Sequence, residues 1–172
     1  MEARPPNLSG TGVITMDDCI RESLRQMPDR VVVGEARGAE VRSLLQPMST
    51  GADGSLSTIH ASSTAVAFKR LALYASMAEQ HYSPEFVAEL IGSSLDFVIH
   101  LRRLRDGKRV ISSVREVTGA TDGHVSSNEW WTPGSDGRAV PSVIAVTDKY
   151  ERLLEHGFDP ALMDRPETWP SR

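Results

Sequence analysis

The run Arg30-Val31-Val32-Val33-Gly34-Glu35 constrains the fold of this chain more than any other segment. Three consecutive β-branched residues leave no polar position for solvent on either side of a strand, so the run predicts a short strand buried on both faces, as in a parallel sheet covered by helices. That strand ends in Gly-Glu. In open α/β sheets ligands are met outside the carboxyl ends of the strands, which is where Glu35 stands. A carboxylate there can orient water or hold Mg²⁺ in phosphoryl transfer. It can equally cap the next helix, and the residues alone leave both readings open.

The segments around this strand alternate in period. Thr15 with Asp18 three positions on has the form of a capping box, and Ile20, Leu24 and Met27 then share a face, predicting a helix over 16–27 stopped by Pro28. A second helix over 38–48 places Val41, Leu44, Leu45 and Met48 on one stripe, with Pro47 in its last turn. Residues 55–60 alternate as a short strand of mixed polarity that delivers His60 to its carboxyl end. Two such strands aim Glu35 and His60 at one sheet edge. A neutral imidazole there offers one donor and one acceptor, suited to contacting a phosphate; a satisfied structural histidine is the alternative. Helices over 64–79 and from Ser83-Pro84 onward come next.

From Asp96 the period changes to two. FVIHL and VISSVREV flank Arg105-Asp106-Gly107-Lys108, a hairpin signal, and predict an antiparallel pair appended to the parallel start. Arg102, Arg103, Arg105, Lys108 and Arg109 crowd that turn, as a solvated turn or as a grip for an acidic partner or phosphate. Residues 118–141 read as a loop or weak second hairpin holding Trp130 and Trp131. A short helix over 148–156 ends at Gly157, and a poorly ordered tail is expected after Pro160. The first 14 residues, with Pro5, Pro6, Gly10 and Gly12, read as loop that would need outside contacts for order.

Composition narrows the function classes. No apolar run approaches the ~18 residues of a membrane span, and the N-terminus lacks the apolar core of a secretory signal, so a cytoplasmic location is expected. Cys19 is the single cysteine, so no internal disulfide forms, and its place in a predicted helix suits an inert thiol. A net charge of −4 argues against nucleic acid as the main ligand. Glu35, His60 and Asp53 match no metal-ligand spacing, so no protein-held metal site is expected.

Taken in order, RPPNLSGTG, IRESLRQMPDRVVVGEARGAEV, MSTGADGSLSTIHASS and LDFVIHLRRLRDGKRVISSVREVTG resemble the secretion ATPases of the type II/type IV superfamily, in particular the tight-adherence, CpaF-like branch. The resemblance covers residues 2–119. It implies an α/β fold, a partial RecA-like P-loop ATPase domain (its Walker B half) with an antiparallel edge hairpin, over residues 1–119, with 120–172 as a C-terminal extension. It implies Glu35 as the catalytic carboxylate of Walker B and His60 as the histidine of the histidine box. Arg4 falls where the family has an arginine near the nucleotide, and Arg37 either touches nucleotide or braces the Walker B loop. ATP and Mg²⁺, a hexamer of homologous subunits, and a peripheral place on the inner-membrane secretion or pilus-assembly machinery are implied in the same way.

The sequence departs from that pattern at one point. The phosphate-binding loop G-x-x-x-x-G-K with a final Ser or Thr is absent: Lys69 follows Phe68, Lys149 follows Asp148, and Lys108 precedes Arg109. That loop supplies the backbone N–H cradle, the phosphate lysine and the hydroxyl ligand of Mg²⁺. The expectation is a C-terminal portion of a secretion ATPase that by itself neither binds ATP at micromolar concentration nor hydrolyses it. The competing expectation is a non-catalytic module that docks on full-length ATPase subunits or on a separate P-loop-bearing chain.

Overall fold

The computed structural model describes residues 1–49, 51–77, 82–142, 149–159, 161 and 165. Within the first 14 residues, read from the sequence as loop, residues 4–14 form a small hairpin that is exposed throughout. Arg4 and Ile14 exchange both backbone hydrogen bonds (2.8 and 2.9 Å), and Asn7 Oδ1 accepts the Ser9 and Thr11 N–H groups, each at 3.0 Å. An Asx-type turn thus closes a small hairpin.

Helix α1 (Met16–Leu24) starts with the reciprocal capping box: the Thr15 hydroxyl accepts the Asp18 N–H at 3.1 Å, and the Asp18 carboxylate accepts the Thr15 N–H at 2.9 Å. The Asp18 carboxyl is held below its ordinary range, first by the Thr15 side chain and then by the Thr15 N–H. The helix stops earlier than predicted. Gln26 and Met27 bond three residues back, to Ser23 and Leu24, and Met27 turns to a φ of 50°, which unwinds the last turn before Pro28.

Strand β1 (Val32–Val33) pairs in parallel with β2 (Leu56–Ser57), in the register Val32 with Leu56 and Val33 with Ser57. The prediction of a strand buried on both faces is corrected here. Val31 and Val33 enter the core, whereas Val32 is 70% exposed and its neighbour Leu56 is 64% exposed. The reason is that, among the described residues, this sheet has two strands and the core packs on one of its faces. Within residues 55–60 the regular strand is Leu56–Ser57.

Between the strands lies α2 (Val41–Met48), which buries Val41, Leu44, Leu45 and Pro47; its start is later than predicted, because Arg37 to Glu40 form a separate turn. After β2 come α3 (Thr64–Ser76), N-capped by Ser63, and α4 (Pro84–Ser94), N-capped by Ser83. The expected continuation of α3 to 79 lies outside the described residues. Ile20, Val33, Leu44, Leu45, Leu71 and Ile91 form the centre of one apolar cluster drawn from α1 to α4 and β1.

The antiparallel part is larger than an appended hairpin. Strands β3 (Phe97–Arg103), β4 (Arg109–Thr121), β5 (His124–Pro133) and β6 (Ala139–Pro141) form a four-stranded sheet in that order, separate from β1 and β2. Residues 118–141 are therefore mostly strand. β4 continues through position 119 with a register shift between Val117 and Gly119, and its partner β5 buries Trp130, whose indole N–H donates to the buried Glu116 carboxylate at 3.0 Å. A Phe97 edge packs on the same indole, with ring centroids 5.6 Å apart.

Helix α4 lies across this sheet, and the approach depends on glycine. A Cβ on Gly92 would sit 2.6 Å from the backbone carbonyl of Gly119, which no side chain can yield to. Helix α5 (Tyr150–Glu155) is closed by Gly157 at φ 84° and the Phe158 N–H bonding back to Leu153 at 3.0 Å. Lys149 ties it to the sheet through the Asp96 carboxylate (2.9 Å) and the Val117 carbonyl (2.8 Å). The expected helix start at Asp148 and most of the tail after Pro160 lie outside the described residues. No helix among the described residues is long and apolar enough to cross a membrane.

Candidate functional site

The parallel pairing of β1 with β2 continues past the strands themselves. Leu56 N–H donates to the Val31 carbonyl (3.0 Å), the Thr58 hydroxyl to the Gly34 carbonyl (2.5 Å), and Ala36 N–H to the Thr58 carbonyl (2.9 Å). Two segments running side by side in this way deliver their next residues to the same end of the sheet. Glu35 and His60 meet there, with Nε2 of His60 3.1 Å from Oε1 of Glu35.

The second carboxylate oxygen of Glu35 is engaged by the Arg37 guanidinium at 2.5 Å. Arg37 in turn is steadied through its own N–H, which donates to Glu40 Oε1 at 2.7 Å, while the Gly38 N–H donates to the same oxygen at 2.9 Å. Glu40 thus accepts both N–H groups of the turn ahead of α2, while the Glu35 carboxylate is engaged by Arg37 and His60.

Exposure separates the three groups. The Glu35 side chain is 25% exposed, Arg37 is 74% and His60 is 85% exposed. A half-sheltered carboxylate is therefore flanked by two donors that reach into solvent. The Arg37 hydrogen bond holds the Glu35 carboxyl below the usual carboxylate range; partial burial opposes this, and the charges of Arg37 and His60 add to the lowering. The same contact pushes the Arg37 guanidinium further toward its charged form. The group at the sheet edge is an ionised carboxylate, able to orient a water or meet a cation.

Arg4 is not brought to this cluster. Its guanidinium Nε donates to the Gly12 carbonyl at 3.0 Å within its own hairpin. Asp53 is likewise elsewhere, paired with Arg152 at 3.3 Å.

A second set of residues holds the His60 segment in place and was not singled out by motif. Thr64, the first residue of α3, donates to Glu129 at 3.0 Å and accepts from Arg115 Nε at 3.1 Å, while Arg115 and Glu129 pair at 3.1 Å. Thr64 is 1% exposed, so these bonds are sheltered. They fasten the end of the loop after His60 to β4 and β5. Thr64 is the first residue of the helix predicted over 64–79; Arg115 and Glu129 carry no local signature, because they meet only through strand pairing.

Fitness for Mg²⁺ rests on the donor set. Mg²⁺ keeps several waters and takes one or two carboxylates together with substrate phosphates. Glu35 alone suits that pattern, and among the described residues no three His, Cys, Asp or Glu side chains converge into a protein-held cage. A single carboxylate suits an ion that arrives with phosphate; here its two oxygens are engaged by Arg37 and His60, which such an ion would have to displace.

A family model described as type II/IV secretion system protein matches residues 4–157, well beyond position 119. A Mycobacterium tuberculosis protein named for conjugal transfer is 30% identical over 129 residues, covering 75% of this chain and 36% of that protein. The conjugal transfer protein TrbB of Rhizobium radiobacter is 27% identical over 124 residues, with coverage of 72% and 37%. Among solved structures, the VirB11 ATPase of the Brucella suis type IV secretion system, crystallised with sulphate, superposes with a TM-score of 0.55 at 31% identity, over 59% of this chain and 31% of that one. The chain spans about a third of the length of these relatives.

Proposed function

Because this chain belongs to the type II/IV secretion system protein family, we propose that it is the Walker B portion of a RecA-like secretion ATPase, of the tight-adherence branch, which couples ATP hydrolysis to protein secretion or pilus assembly. The observation that carries the reading is the Glu35–His60 contact at the end of the parallel pair. A structural strand end needs neither group, whereas phosphoryl transfer needs a base beside a phosphate donor.

In this reading ATP with Mg²⁺ supplies the reacting phosphoryl group. Glu35, ionised and half-sheltered, orients the attacking water and accepts its proton. His60 donates toward phosphate oxygen and registers its departure through the Glu35 contact. Arg37 holds the carboxylate ionised and offers a second cation. Arg4 belongs to the nucleotide set only if a neighbouring subunit of a hexamer meets it, since its own hairpin faces elsewhere. The division into residues 1–119 as motor and 120–172 as extension is one of role: β4 and the Thr64–Arg115–Glu129 bonds join the two in folding. The assembly works at the inner face of the membrane on the secretion machinery.

The P-loop has to come from outside these residues, so the chain by itself neither binds ATP at micromolar concentration nor hydrolyses it. Isothermal titration of the purified chain with Mg-ATP tests this; saturable micromolar binding that Glu35→Ala abolishes contradicts it. A second reading, an interaction module docking on a P-loop-bearing chain, draws on Val32 and Leu56, which leave an apolar strip open on the two-stranded sheet. Gel filtration with a full-length family ATPase separates the two: co-elution without any effect of Glu35→Gln on hydrolysis favours the module.

A further inference from the structure

His60 stands in a short bridge between two fixed points. On one side Thr58 is bonded to both Gly34 and Ala36 of the neighbouring segment (2.5 and 2.9 Å), and Ile59 packs against the core. On the other side Thr64 begins α3. Among the described residues, segment 59–63 makes no contact with a distant polar group other than that of His60 with Glu35 at 3.1 Å. The imidazole itself is 85% exposed, so packing does not hold it, and its place follows from the two ends of the bridge.

The Thr64 end is held by a closed ring of three side chains. The Thr64 hydroxyl donates to Glu129 Oε1 (3.0 Å) and accepts from Arg115 Nε (3.1 Å), while Arg115 Nη2 meets Glu129 Oε2 (3.1 Å). That hydroxyl has no duty as a helix cap, because the Ser63 hydroxyl accepts the Val66 N–H at 3.2 Å. Arg115 Nη1 reaches on to Ser127 Oγ at 3.4 Å.

The ring depends on an irregularity in the sheet. Val114 pairs with Trp131 and the next residue, Arg115, pairs with Glu129, so Trp130 is an extra residue on β5. A bulge of this kind re-aims the side chains beside it and is common next to active sites. Trp130 turns into the core, 5% exposed and bonded to Glu116, which leaves Arg115 and Glu129 opposite one another and in reach of Thr64. Apolar side chains would fasten α3 to the sheet at least as well, since a sheltered ion pair gives up hydration for its attraction. What three directional bonds add is a defined position for the start of α3.

We propose that Arg115 and Glu129 are positioning residues for His60, acting through Thr64 to fix where the imidazole stands beside Glu35. The proposal rests on the nucleotide reading of that pair. It adds that the antiparallel sheet, through β4 and β5, governs the geometry of the site at the end of the parallel one. Breaking the ring frees the Thr64 end of the bridge, and His60 leaves Glu35.

The test is the nuclear Overhauser cross-peak between the His60 ring and the Glu35 side-chain methylene protons in the full, isotope-labelled chain, with no nucleotide added. Thr64→Val keeps the shape of the side chain and removes the hydroxyl. Arg115→Lys keeps the charge and removes the planar fork that reaches Thr64 and Glu129 together. Both are expected to lose the cross-peak, and Thr64→Ser, which retains the hydroxyl, to keep it. Ser83→Ala removes the cap of α4, lowers stability away from the ring, and keeps it as well. A cross-peak that survives both ring-breaking variants, that is lost in Thr64→Ser, or that weakens equally in Ser83→Ala overturns the proposal. Its absence from the wild-type chain overturns the Glu35–His60 contact, and with it both this proposal and the nucleotide reading, whereas its presence there without response to the ring overturns this proposal alone.

Discussion

Oε1 of Glu35 lies 3.1 Å from Nε2 of His60, and the register that pairs Val32 with Leu56 and Val33 with Ser57 is what brings them there. Neither side chain is placed by a long loop. Each stands a few residues beyond its strand, and the hydrogen bonds from Thr58 to Gly34 and from Ala36 to Thr58 carry the alignment to the site. A shift of that register would separate the pair, so the contact reports directly on the parallel pairing.

The Glu35 titration gives one prediction. Its folded value is lowered, chiefly by Arg37, so the stabilisation from this contact is complete above the ordinary carboxylate value of about 4.3 and disappears as pH falls through the lower folded value. In Arg37→Ala the midpoint of the Glu35 carboxyl carbon, tracked by NMR, moves upward toward the ordinary value, and acid unfolding begins at a higher pH. A midpoint that does not move means Arg37 does not hold the carboxylate.

Trp130→Phe gives a second. It removes the indole N–H that donates to Glu116, whose side chain is 1% exposed. Losing one donor to a buried carboxylate costs about 1–3 kcal/mol, read as a fall in the urea midpoint at constant slope. An unchanged midpoint would mean that Glu116 draws nothing from this bond.

Gly92→Ala gives a third. In most helices the change is favourable by about 1 kcal/mol, because glycine is a poor helix former. Here the new methyl meets the Gly119 carbonyl at 2.6 Å, so α4 must lift from β4 and the sign reverses. Thermal unfolding is expected at a lower temperature than wild type, with about 1–3 kcal/mol lost to overpacking.

These residues also show how much was legible. The capping box at Thr15, the Ser83-Pro84 helix start, the β3–β4 hairpin and the Gly157 stop were readable because each is a local contest among neighbouring backbone groups. The convergence of Glu35 and His60 was readable because a buried strand fixes where its last residue goes. Val32 was misread, since three valines in a row state hydrophobicity and not which neighbours are present to cover it. The sheet of β4 and β5 was underestimated because glycine, serine and aspartate in 118–141 resemble a loop, while the burial of Trp130 and the pairing of Arg115 with Glu129 arise only between strands. Arg4 was assigned by position in a motif, and its local hairpin bonds could not be seen that way.

The central claim is that Glu35 is the carboxylate that activates water for ATP hydrolysis. The direct measurement is Mg²⁺-dependent ATP hydrolysis by this chain joined in frame behind the P-loop-bearing portion of a family relative, purified as an assembled particle, with Glu35 and with Glu35→Gln. The account predicts a loss of at least about a hundredfold in turnover for Glu35→Gln, with ATP binding retained, as expected for removal of a general base. Turnover that is the same with either residue would contradict it.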